Sequence, residues 1–307
     1  MQLGITISNF SWDGPASQIG PTVTHFARAA DEAGFDSLWT MDHFFQIRVT
    51  GEPPEAPMLE TYATLGFVAG QTERIRLGTL VTAVPYRHPG VLLKIVTSLD
   101  VLTGGRMVLG VGAGSPWTHL ARQGEAGGLG IPFPSLAERF ERLEELLQIA
   151  HQMWRGDESP FEGVHYQLAR PLNSPNSLQR PHPPILIGGS GEQRTLRLVA
   201  QYADACNLFD IPGSGFQDDL AHKLKVLQSH CDDVGRDYAE IEKTTSTSFD
   251  LGDDHHAGLR RLLDHLHELA AVGVDHAILS PARPWDDETF TAVTSILPQV
   301  HDIPSAA

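Results

Sequence analysis

The sequence predicts an α/β chain folded as a (β/α)8 TIM barrel with inserted loops, one domain spanning residues 1–307. Three observations predict it. Short apolar runs alternate with longer segments of helical period, the pattern of parallel strands joined by crossover helices. Eight such runs can be counted, and closing eight parallel strands into a barrel removes both exposed edges of the sheet. The chain has 307 residues, a length at which a barrel forms one domain.

In order, the strands are expected at Leu3 to Ile7, Ser37 to Thr40, Ile75 to Val81, Met107 to Val111, Ile185 to Ile187, Ala205 to Phe209, Ile241 to Ser248 and His276 to Ser280. Between the first two, Val23, Phe26, Ala27 and Ala30 recur at helical spacing, and Gly34 supplies a left-handed stop. Pro89 suits a first helical turn, with Val91, Leu92, Ile95, Val96 and Leu99 behind it and Gly104 and Gly105 as the exit. Ser135 with Glu138 forms a capping box for a helix running to about Trp154. Ser190 with Gln193 reads as another, ahead of Leu196, Val199 and Ala203. Gly51 to Pro57 and Pro160 to Pro184 break the alternation. Because strand and helix resume after each, they are expected as surface loops inserted beside the site rather than as linkers.

Lys and Arg number 22 against 38 Asp and Glu, a formal charge of −16, which argues against nucleic acid or an anionic membrane as the partner. The 41% of hydrophobic residues and 20% of charged ones supply a core and exclude disorder. Cys206 and Cys231 are too few for a disulfide framework or a four-cysteine zinc site. The start of the chain lacks a basic leader, and no apolar run approaches the roughly 20 residues of a membrane helix. A cytoplasmic protein is expected.

In such a barrel the loops at the carboxyl ends of the strands build the site. After the fourth strand, Gly110, Gly112 and Gly114 leave backbone amides open to something flat or anionic. As a dinucleotide fingerprint this is weak, since Ser115 stands where the third glycine belongs; a tight strand exit alone would also use these glycines. After the fifth strand, Gly188, Gly189, Ser190 and Gly191 present amides at a helix start, where a phosphate fits; Ser190 capping its own helix is the competing reading. His43 follows Asp42 after the second strand, which sets an imidazole over the mouth with a carboxylate beside it, able to bind or protonate a ring or substrate. The run Asp253, Asp254, His255, His256, His265 and His267 has a metal-like composition, but His265 and His267 face different directions on a helix, so a solvated face is the better reading. No nucleophile elbow of the Gly-x-Ser-x-Gly kind occurs.

Seven ordered blocks now carry a resemblance: Phe35 to Phe44, Arg76 to Thr82, Tyr86 to Pro89, Leu102 to Arg106, Gly110 to Gly114, Gly130 to Phe133 and Pro183 to Gly189. Together they resemble the bacterial luciferase-like superfamily, and within it the oxidoreductases that use the deazaflavin coenzyme F420. The resemblance is looser beyond about Asp210. It implies a barrel holding a tricyclic ring at its carboxyl ends, backed by a bulge with a cis peptide at Thr79, Leu80, Val81 and Thr82. It implies phosphate contacts from Gly112, Ala113, Gly114 and Ser115 and from Gly188, Gly189 and Ser190, and places Asp42 and His43 near ring and substrate. The implied chemistry is hydride exchange between coenzyme F420 and a small organic substrate, with His43 donating or accepting the accompanying proton. FMN is the alternative cofactor, with monooxygenation as its chemistry, and a noncatalytic flavin- or deazaflavin-binding protein is a further alternative. Ala113 stands where flavin-using members often place an arginine, which favours the deazaflavin. Some deazaflavin dehydrogenases have a glutamate after the glycine loop, where this chain has Ser115, so that acid role is vacant or supplied elsewhere. Arg87, Arg106 and Lys94 are reserve sources of positive charge. A homodimer through the helices of the early barrel follows from family habit.

Overall fold

A computed structural model describes residues 1–47, 50–114, 124–211, 216–217 and 219–304. Among these residues eight parallel strands alternate with eight helices of two turns or more. The strands are β1 (Gln2–Thr6), β2 (Ser37–Thr40), β3 (Arg76–Thr79), β4 (Met107–Gly112), β5 (Ile185–Gly188), β6 (Ala205–Ile211), β7 (Glu242–Phe249) and β8 (His276–Pro281). The helices are α1 (Ile19–Ala33), α2 (Thr61–Ala69), α3 (Pro89–Thr103), α4 (Leu136–Trp154), α5 (Thr195–Tyr202), α6 (Leu220–Val234), α7 (His255–Ala271) and α8 (Asp287–His301). Each strand pairs with the next in sequence, and β8 returns to β1 with Gly4 opposite Ile278, so the barrel is closed.

Strand alternation divides the apolar residues between two cores. Outward residues such as Leu3, Ile5, Leu38, Leu77 and Leu109 are buried under the helices. Inward ones, Trp39, Val108, Leu186, Ala205 and Ile278, fill the lumen, and Leu80 and Val81 pack onto that plug. A polar network closes the amino-terminal end. Trp39 Nε1 donates to Ser37 Oγ at 2.6 Å, His276 Nε2 lies 2.9 Å from the same oxygen, and Glu242 accepts from His276 Nδ1 at 2.9 Å and from Arg76.

The helix signals hold at most positions. Gly34 and Gly104 end α1 and α3 in the left-handed region, at φ 90° and 72°, Pro89 opens α3, and Ser135 Oγ accepts from the Glu138 amide at 3.3 Å. Ser190 does not cap a helix. The helix begins at Thr195 with Arg194 at its N-cap and no side-chain cap. The cause lies in Glu192, which is drawn toward α6 by Lys223 at 2.6 Å while its carbonyl accepts from His230 at 2.8 Å. That carbonyl is therefore diverted from the first helical turn.

The proline-rich segment meets expectation only in part. It leads into β5 and packs on α3, with Gln179 Nε2 donating to Asp100 and to the Met107 carbonyl, both at 2.7 Å, at the start of β4. Gln179 therefore lies at the end opposite the strand carboxyl termini, whereas Tyr166 and Leu168 of the same segment lie against His88 and Gly90 at the start of α3, on the mouth side. The loop after β2 does lie at the mouth, where Gln46 Nε2 donates to the Ser8 and Pro57 carbonyls and Asn9 Nδ2 donates to Glu52. Among the described residues no helix is long and apolar enough to cross a membrane.

Candidate active site

The exit of β3 is built first. The chain leaves the ladder at Thr79, makes a cis peptide between Leu80 and Val81, and rejoins β4 with Thr82 opposite Val111. Thr79 and Thr82 are buried. Thr79 Oγ1 donates to the Gly110 carbonyl at 2.8 Å, and Thr82 Oγ1 lies 2.8 Å from Tyr62 Oη and 3.3 Å from Thr79 Oγ1. The threonine side chains therefore brace the bulge, while Leu80 and Val81 are only half-buried above the lumen plug.

The two glycine loops close on Val81. A Cβ at Gly188 would fall 2.9 Å from one Val81 methyl, and a Cβ at Gly112 would fall 3.1 Å from the other and 3.3 Å from the Gly188 carbonyl. Any side chain at either glycine would crowd the bulge. Gly114 and Gly189 turn with φ of 86° and 117°, and Ala113, Gly114, Gly189 and Ser190 remain half-open. Arg139, buried on α4, stacks 4.3 Å from the Phe133 ring centroid and donates from Nη1 to the Ala113 and Gly114 carbonyls at 2.9 and 2.8 Å. Ser115 lies outside the described residues.

Asp42 and His43, adjacent in sequence, make separate contacts. Asp42 is buried and held by both guanidinium nitrogens of Arg87, one at 3.0 Å; Arg87 also reaches Glu60 and lies 4.6 Å from the Tyr62 ring centroid. Burial raises the Asp42 carboxyl above its ordinary value, and the Arg87 guanidinium opposes the rise. His43 Nδ1 lies 2.6 Å from Oε1 of Glu125, in the one-turn helix Glu125–Gly128. Oε2 of that carboxylate accepts from the Phe44 amide at 2.7 Å, and Oε1 accepts from Tyr86 Oη at 2.5 Å. Burial works to raise the Glu125 carboxyl, but the hydrogen bond and charge of His43, with Tyr86 and the Phe44 amide, outweigh it and hold it below its ordinary value. Burial together with the Glu125 charge pushes the Tyr86 phenol well up, so it stays a donor.

An ionised carboxylate only accepts, so Nδ1 carries the hydrogen, and Nε2 is the nitrogen left to exchange a proton with a substrate. Nε2 has no hydrogen-bond partner among the described residues, and the His43 side chain is 16% exposed. The arrangement can take up or release one proton at the mouth. Sequence reasoning missed Glu125 and Tyr86, and left the Glu125 position unassigned in a glycine-rich run. The reserve cations are committed elsewhere: Arg87 to Asp42 and Glu60, Lys94 to the Ser174 carbonyl, and Arg106 to carbonyls of Ala69, Thr72, Ile75 and Thr103 at the amino-terminal end. Among the described residues no three metal-ligating side chains cluster; His265 instead bonds Asp210 at 2.7 Å.

A family model described as luciferase-like monooxygenase matches residues 1–293. The chain belongs to that family. Among relatives of this luciferase-like chain, an F420-dependent glucose-6-phosphate dehydrogenase of Microbacterium testaceum (strain StLB037) is 30% identical over 259 residues, 82% of this chain and 71% of the relative. One of the same name from Kineococcus radiotolerans is 32% identical over 78% of this chain and 67% of the relative. A third, from Nakamurella multipartita, is 35% identical over 64% of this chain, and the match spans 54% of the relative. The luciferase-like fold is shared with an F420-dependent secondary alcohol dehydrogenase in complex with an F420-acetone adduct, at a TM-score of 0.80, 18% identity, and coverage of 98% of this chain and 99% of that one. A coenzyme F420 dependent tetrahydromethanopterin reductase from Methanopyrus kandleri gives a TM-score of 0.73 at 17% identity, covering 96% and 97%.

Proposed function

We propose that this chain, working as one catalytic domain, is an oxidoreductase that uses coenzyme F420 to oxidise or reduce a small organic substrate. The observation that carries the reading is the close meeting of Gly112, Gly188 and Val81 at the carboxyl ends of the strands, the same end of the barrel at which the Glu125 carboxylate orients His43. A planar apolar ring fits a surface made of glycine backbone, Leu80 and Val81. Ala113 and Gly114 on one loop and Ser190 on the other are placed to offer amides to an anionic tail, the Gly189 amide being taken by the Asn207 carbonyl, and the start of α5 lacks a side-chain cap. The Asp42 carboxylate is engaged by Arg87, so its contact with a ring falls to its main chain.

When bound, the deazaflavin supplies a two-electron donor or acceptor. His43 Nε2 takes the proton from a substrate hydroxyl, or returns it to a carbonyl oxygen, and Glu125 stabilises the imidazolium formed. Tyr86 and the Phe44 amide hold Glu125 in place. The relatives named for coenzyme F420 support the choice over FMN. A homodimer is proposed through α1, α2 and α3, where Phe67 and Val91 stand 46% and 57% exposed, and sedimentation measures it. The expected setting is the cytoplasm.

Titrating the purified protein with each cofactor while following tryptophan fluorescence tests the reading. Saturable binding of coenzyme F420 is expected, with weaker or no binding of FMN. Tight FMN binding with none of the deazaflavin would overturn it.

A further inference from the structure

The barrel mouth has two chemically different halves. On the β3, β4 and β5 side, the top of the lumen is glycine, Leu80 and Val81. Across from it, the register sets Thr244, Ser246 and Ser248 on the same face as His276, Ile278 and Ser280. Thr6 Oγ1 lies 2.9 Å from Ser280 Oγ, and Ser246 Oγ donates to Asn207 Oδ1 at 2.9 Å. Ser248 and Ser280 are half-buried, so hydroxyls reach the mouth.

Charge around this half opposes anions. The described residues of the loops that follow β1, β6, β7 and β8 carry Asp13, Asp219, Asp250, Asp253, Asp254 and Asp286 against a single basic residue, Arg283. Three of these carboxylates cap the helices that start here: Asp219 accepts from the His222 amide, Asp254 from Ala257 and Asp286 from Thr289, at 3.1, 3.0 and 2.8 Å. The helix ends that in many barrels would receive a phosphate already hold the chain's own anions.

We propose that the β7–β8–β1 half of the mouth, with Ser248 and Ser280 as its specificity residues, is the substrate subsite, and that it takes uncharged alcohols or carbonyl compounds and rejects phosphate esters. This rests on the F420 reading above. Hydroxyls both donate to a carbonyl oxygen and accept from an alcohol, so they serve either direction of the reaction. A phosphate brought there would face a row of carboxylates with one guanidinium to offset them.

The test uses a panel of matched pairs, glycerol against glycerol 3-phosphate and glucose against glucose 6-phosphate, together with propan-2-ol and acetone. Absorbance at 420 nm reads turnover in both directions, and saturation-transfer NMR on the protein without cofactor reads substrate contact alone. Turnover and NMR transfer confined to uncharged members are expected. Ser248→Ala and Ser280→Ala should each raise KM about tenfold, the loss of roughly one hydrogen bond, with the dissociation constant for coenzyme F420 unchanged. Turnover of a phosphate ester equal to or above that of its uncharged partner overturns the proposal, as does an uncharged panel that is neither bound nor turned over. Coenzyme F420 that fails to bind in the fluorescence titration identifies a failure of the parent reading instead.

Discussion

His43 Nδ1 and Glu125 Oε1 stand 2.6 Å apart at the barrel mouth although 82 residues separate them in the chain. The contact fixes which imidazole nitrogen carries hydrogen and so which one meets a substrate. Tyr86 and the Phe44 amide share the same carboxylate, so the pair sits within a small, fully used set of donors.

Glu125→Gln keeps the size of the side chain and removes its charge. Turnover should fall by roughly 10- to 100-fold, the rate equivalent of a hydrogen bond to a charged group. His43→Ala should cost more, about 100- to 10,000-fold. Steady-state rates with coenzyme F420, beside its dissociation constant for each variant, check this. Unchanged turnover in both variants contradicts the proton role.

At Gly188 an added methyl meets Val81. Gly188→Ala should weaken coenzyme F420 binding about tenfold and lower stability by about 1–3 kcal/mol through overpacking. Val81→Ala removes the two methyls in the way, so the double variant should recover part of the loss of stability. Fluorescence titration and thermal melts on the single and double variants measure the coupling; full additivity would mean the two residues do not touch.

Arg87 holds the buried Asp42 carboxylate. Arg87→Gln strands that charge and should destabilise the protein by about 3–5 kcal/mol, as breaking a buried pair does. Replacing both, as Arg87→Gln with Asp42→Asn, should cost less than Arg87→Gln alone. Chemical denaturation of the three variants decides it.

Acid should weaken the closed end of the barrel. Burial works to raise the Glu242 carboxyl, yet His276 and Arg76 outweigh it and hold it down to about 2. A carboxyl depressed in the folded state stabilises above its ordinary value of 4.5 and loses that contribution as pH falls toward 2. Glu242→Gln should therefore melt earlier at pH 7 and show a flatter melting temperature between about pH 4.5 and 2. A parallel acid profile for wild type and variant contradicts the assignment.

Much of the fold was legible because its signals are local. Alternation in eight short runs gave the strands, and Gly34, Gly104, Pro89 and Ser135 act within one helical turn of where they stand. The third strand was read two residues long, since Leu80 and Val81 are apolar and β-compatible; the turn out of the ladder depends on Gly110, whose missing side chain admits the Thr79 carbonyl. Ser190 failed as a cap because Lys223 and His230, from another helix, draw Glu192 away. Pro160 to Pro184 runs from His88 at the mouth side to Met107 at the opposite end, and composition does not encode how far along the barrel a loop travels. Glu125 was invisible for a similar reason. Gly124, Gly127 and Gly128 around it carry no helical period, and only folding brings its carboxylate to His43. A lone acid among glycines ahead of the Gly130 to Phe133 block was the one available signal.

The most direct measurement is the electron density of a crystal grown with coenzyme F420. The account predicts the ring over Leu80 and Val81, His43 Nε2 facing the open side of the ring, and the phosphate tail against Gly112 to Ser115 or Gly188 to Ser190. Density for the cofactor on the β7–β8–β1 half, or away from His43 altogether, would contradict it.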